Sequence, residues 1–178
     1  MKKTLIVCGI LALASFSAAA FAADEQPAPP AGALKLHAFV GHWTGTGQLS
    51  EYGKDTATIN VDMTCAEVAG GWGVRCDDAM TGSGMNYLES DLMGYDAGSN
   101  KAHWYAVTNS GDVHDHVAQW QDDTNFLANH TEMAGDRKIS EDITLQLKTP
   151  TQMQAKSSMT VDGKESQALT MTLTKTGK

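Results

Sequence analysis

From Trp43 to Lys175 apolar and polar residues alternate in short runs, and nearly every run ends in a Gly, Asp or Asn turn signal. Period two belongs to a strand with one dry face and one wet face. Ala57, Ile59, Val61, Met63 and Cys65 alternate with Thr58, Asn60, Asp62 and Thr64; Leu169, Met171 and Leu173 alternate with Thr170, Thr172 and Thr174. Ten such runs can be marked off, at 42–51, 54–65, 72–80, 85–95, 101–109, 113–121, 125–133, 137–148, 152–161 and 166–175. Their links are too short for the helical crossovers that parallel strands need, so consecutive runs pair antiparallel. A meander this long protects its edges by closing on itself. The expected fold is all-β, an antiparallel up-and-down β-barrel of about ten strands.

The N-terminal region is of another kind. Lys2 and Lys3, the apolar stretch Thr4 to Ser17 and the small-residue site Ala20-Phe21-Ala22 make residues 1–22 a signal peptide, with cleavage near Ala22-Ala23. The apolar run is shorter than the ~20 residues of a spanning helix, and no second one follows, so stable membrane insertion is not expected. A periplasmic or secreted protein follows. Residues 23–32, with Pro27, Pro29 and Pro30, read as an extended leader, and residues 33–178 as the barrel domain. Ala33 to Val40 is a short amphipathic helical segment able to cap one barrel end. Loss of Lys2 and Lys3 with the signal takes the formal net charge from −8 to −10, which makes nucleic acid a poor partner.

Two cysteines remain, Cys65 and Cys76, in a compartment where disulfides persist. Gly70-Gly71 supplies the positive-φ positions of a two-residue hairpin turn with Ala69 facing Trp72, and counting outward sets Cys65 opposite Cys76. That count also places them at a hydrogen-bonded pair, with Cα atoms ~5.5 Å apart. A structural disulfide is expected, since no Cys-x-x-Cys spacing is present.

Val40-Gly41-His42-Trp43-Thr44-Gly45 opening the first strand, with Met93-Gly94-Tyr95-Asp96 before a strand at Lys101, resembles the calycin superfamily, which includes lipocalins and fatty-acid-binding proteins. The pattern is most similar to a bacterial group of secreted calycin-like domains of unknown function. The resemblance implies a closed barrel whose structural Trp43 packs across one end. The lipocalin Thr-Asp-Tyr motif and the late Arg covering that Trp are absent, no Arg following Arg137. Lys175 is placed to cover the ring with its aliphatic stem.

An open barrel of this size encloses one small ligand. Eight methionines of the mature chain suit a deformable apolar lining, and Met63, Trp104, Trp120, Met153 and Met171 are the expected ligand-binding residues. The expected partner is a small apolar or amphipathic molecule, and no cofactor is required; oligomeric state is not encoded in any motif. The alternative is a metal or haem barrel. His114 and His116 share one strand face with Ala118 and Trp120, His103 and His130 on neighbouring strands are further donors, and imidazoles suit Zn, Cu or haem iron. Strand parity alone leaves open which face of that strand points inward. A third possibility is a filled barrel acting as an interaction module. Catalytic signatures are missing: there is no Gly-x-Ser-x-Gly, His-Glu-x-x-His or phosphate-binding Gly-rich loop, and the acid pairs Asp77-Asp78 and Asp122-Asp123 read as solubility charge.

Overall fold

The structure, a computed structural model, describes residues 27–177. The expected signal peptide and its cleavage site lie outside these residues. Pro27 to Pro30 forms no regular element, and extended Pro30 precedes a six-residue helix, α1 (Ala31–Leu36), continued by a 3-10 turn at His37–Phe39. The helix thus begins two residues before the expected Ala33, directly after the last proline, where the fixed proline φ suits a helix start.

Ten strands follow: β1 (Gly41–Glu51), β2 (Ala57–Val68), β3 (Gly73–Gly82), β4 (Met85–Asp96), β5 (Lys101–Thr108), β6 (Val113–Trp120), β7 (Asn125–Ala134), β8 (Arg137–Thr149), β9 (Gln152–Val161) and β10 (Lys164–Gly177). Each pairs antiparallel with its sequence neighbours, and β1 pairs with β10 to close the barrel. This is the up-and-down architecture expected from the alternation. Closure brings β1 very near β10. A Cβ on Gly45 would stand 2.0 Å from the Thr172 carbonyl oxygen, so no side chain fits there.

The end beneath α1 is sealed by aromatic packing. Ala33, Leu36 and Phe39 are fully buried, while Leu34, a turn's fraction round the helix, is half exposed. Trp43 is 0% exposed, and its indole N–H donates to the Phe39 carbonyl at 2.7 Å. Lys175 lies over the indole, its Nζ 4.7 Å from the ring centroid, and donates to the carbonyls of Ala38 (3.2 Å) and Val40 (2.8 Å). One cation thus ties the last strand to the turn entering the first, with a favourable charge–ring contact.

Cys65 and Cys76 form the expected disulfide, in the expected register, both side chains buried. The expected spacing is corrected. The Cα atoms are 4.0 Å apart, which is the close approach of a non-hydrogen-bonded pair. Val68 ends β2 and Gly73 begins β3, so Ala69 to Trp72 form a four-residue loop. Its Ala69 joins Gly70 and Gly71 at positive φ. Two more loop residues preserve the register but move the hydrogen-bonding phase by one position.

Candidate functional site: the barrel lumen

Alternation along each strand delivers every second side chain to the lumen, where a cavity of about 260 Å³ remains. One part of its wall is apolar, including Ile59, Val61, Leu49, Met80 and Leu173. Of the residues expected to meet a ligand, Met63, Trp104, Met153 and Met171 line it. Trp120 is placed elsewhere, stacked on Phe39 with centroids 5.6 Å apart and tilted against Phe126 at 5.1 Å, within the aromatic seal.

The rest of the wall is polar, and most of it comes from residues the alternation did not mark. Asp78 on β3 and Tyr87, Glu89 and Asp91 on β4 turn inward, joined by His114, His116 and Glu141. The reading of Asp78 as solubility charge is therefore corrected: it shares the inward face with Cys76 and Met80. Its partner in sequence, Asp77, faces outward and takes hydrogen bonds from Arg75 and Ser90. Asp122 is a turn residue, accepting from the backbone of Thr124 and Asn125. Parity with Cys76 was the available signal for Asp78.

These inward acids are held away from water, and among the described residues no lysine or arginine turns inward to balance them. Lys156 touches the cavity rim, but its side chain is exposed. Burial, then the charges of Glu89, Asp77 and Asp62, push the Asp78 carboxyl up to about 8. Burial, then Glu89 and Asp78, push Asp91 up to about 9. Burial is also the main cause raising Glu89 and Tyr87. Three buried polar atoms of this region, Asp78 Oδ1, Asp91 Oδ1 and Trp104 Nε1, have no hydrogen-bond partner of normal geometry among the described residues, an arrangement that is costly unless another group meets them.

Stability should depend on these carboxyls. An unfolded aspartate loses its proton near pH 4, whereas folded Asp78 and Asp91 keep theirs to about pH 8 and 9. Across that window the unfolded chain binds fewer protons, so stability falls as pH rises. Asp91→Asn mimics the protonated acid and should flatten this slope. Melting temperatures of wild type and variant at pH 5 and pH 8 check it; equal slopes would contradict the assignment.

Glu141 behaves oppositely. Burial opposes its ionisation, but hydrogen bonds from His116 and Ser157, with the charges of His116 and His114, hold its carboxyl below the usual range. His114 and His116 point inward, which settles the face left open by sequence. His130 joins them, its ring stacked on His114 with centroids 5.0 Å apart. His103 lies on the outer surface, 3.3 Å from Asp115.

No protein-family model matches the sequence, and no curated protein matches it. Among solved structures, the S-type phycobiliprotein lyase CPES from Guillardia theta is similar in structure, with a TM-score of 0.56 at 14% identity, over 83% of this chain and 98% of that chain. The fold is calycin-like. At that identity the likeness carries the barrel and its closure, and the lumen's chemistry has to be read from these residues alone. No helix among the described residues is long and apolar enough to cross a membrane.

Proposed function

We propose that this protein binds one small amphipathic molecule in the barrel lumen, as a carrier or receiver of that molecule outside the cytoplasm. One observation carries the reading: a cavity of about 260 Å³ with an apolar wall and, beside it, unpartnered buried carboxyl oxygens. Empty apolar space lets a hydrocarbon body leave water at about 0.8 kcal/mol per CH₂. The polar wall selects the head group. Burial and mutual repulsion hold Asp78, Glu89 and Asp91 back from ionising, so an ammonium group among them supplies the positive charge that lets them ionise and the hydrogen-bond donors their oxygens lack. A carboxylate head would add to the repulsion. The volume, just below the usual ~300–1,000 Å³ of ligand pockets, favours a compact ligand over a long-chain lipid. That the structurally similar protein is a phycobiliprotein lyase is compatible with such a lumen meeting a small molecule.

Calorimetric titration with octylammonium and octanoate separates the head groups. Octylammonium should bind one per chain, more tightly at pH 8 than at pH 6, because the bound cation favours ionised acids and displaces their protons. Octanoate should bind at least about tenfold more weakly, a difference of 1.4 kcal/mol. Equal affinity for both would remove the acids from recognition. Binding of neither would leave the lumen without this role.

A further inference from the structure

The geometry points to a divalent transition-metal site, with zinc as its natural occupant, formed by His114, His116 and Glu141 on the inner wall of β6 and β8. It is separate from the amine reading and stands or falls without it.

The donor atoms of the three residues all lie within 4.8 Å of one another. Glu141 Oε2 is 3.1 Å from His116 Nε2 and 3.6 Å from His114 Nδ1. With metal–ligand bonds of ~2.0–2.2 Å, the donors of a tetrahedral zinc stand about 3.4 Å apart, so these two distances bracket the required edge. The barrel register builds this convergence. His130 is the direct partner of Glu141 across β7 and β8, and His116 lies one step beyond the paired Val117 and Asn129 across β6 and β7. Three adjacent strands therefore carry inward donors at one level of the lumen.

Hydrogen bonding around the group orients it for a cation. His116 is buried at 1% exposure, and both ring nitrogens face oxygen acceptors: Nδ1 is 3.4 Å from the Trp104 carbonyl, and Nε2 faces Glu141. With a hydrogen on Nδ1 donated to that carbonyl, Nε2 can meet the carboxylate through a metal ion between them. Ser157 Oγ donates to Glu141 Oε1 at 2.7 Å, which turns Oε2 toward the histidines. Such outer partners are the usual support of metal ligands. His130 Nδ1 lies 3.0 Å from the Asp115 carbonyl, leaving a buried Nε2 without a hydrogen-bond partner among the described residues, 3.7 Å from Glu132 Oε2, on a ring already stacked against His114.

Two imidazoles with one carboxylate favour Zn²⁺ or Co²⁺ over Mg²⁺ or Ca²⁺, which prefer all-oxygen shells. All three residues line the cavity, so an ion held by them would sit at the lumen wall.

The test uses the full chain stripped by a chelator. Calorimetry with ZnCl₂ should show one ion per chain, MgCl₂ should show none, and CoCl₂ should give the visible absorption of a tetrahedral site. Glu141→Gln keeps the side-chain size and should weaken Zn²⁺ binding by more than about 100-fold, beyond the 10–100-fold typical of outer-partner loss. His114→Asn should do the same, and Ser157→Ala should cost about tenfold. His42→Asn, at an exposed His42–Asp62 pair, should change nothing. Circular dichroism confirms that each variant is folded. Failure of the wild type to take up Zn²⁺, or uptake undiminished in both folded ligand variants, would overturn the site.

Discussion

Trp43→Ala is expected to remove about 3–5 kcal/mol of stability, the cost of deleting a fully buried large aromatic. Trp43 is 0% exposed and lies where β1 begins, beneath the turn that follows α1. Its loss opens a cavity against Phe39 and leaves the Phe39 carbonyl without the indole N–H. It also strips Lys175 of the ring beneath it, although that ammonium still reaches the Ala38 and Val40 carbonyls. Trp43→Phe keeps most of the ring and should cost less, since a single neutral hydrogen bond contributes about 1 kcal/mol. Urea denaturation with the disulfide intact measures both. A loss below about 1 kcal/mol for the alanine variant would mean that the aromatic seal is not what closes this end.

Replacing Cys65 and Cys76 together by alanine should cost about 3 kcal/mol. The bridge joins residues 11 apart in sequence, and closing so short a loop restricts the unfolded chain by roughly that amount. Both side chains are buried in the barrel core at 3% and 2% exposure, so the native protein should resist reductant until it is partly unfolded. The double variant should keep its β-rich circular dichroism, because the β2–β3 register is also held by ladder pairs from Asn60–Thr81 to Val68–Gly73. An unchanged urea midpoint would show that the bridge adds nothing to the hairpin.

The fold was largely legible because the dry face of most strands is written at period two. β2 and β10 turn inward the residues that alternation assigns. The cysteine register was legible too, since the turn glycines fix the count, but the hydrogen-bonding phase depended on whether the loop held two residues or four. The polar lumen was hidden by an inversion in β4. There Leu88 and Leu92 lie outside, 46% and 51% exposed, while Glu89 and Asp91 occupy the inner face. With Met85, Tyr87 and Met93 on that same inner face, hydrophobic pattern does not mark which side of the strand points inward. Local rules fail in this way where a site sets the residue instead of the core. Glu141 was hidden for a related reason: its link to His116 crosses β7 and has no sequence spacing to reveal it. His114 and His116 were visible as a pair, yet only the barrel could decide that they face inward with His130 and that His103 does not.

Native mass spectrometry of the purified full chain, before and after incubation with octylammonium, shows whether the lumen holds a small molecule. The expected spectrum carries one organic adduct per chain that disappears on denaturation, or gains one octylammonium when the protein is purified empty. A native mass equal to that of the disulfide-bonded polypeptide in both samples would mean that the lumen takes up no such molecule.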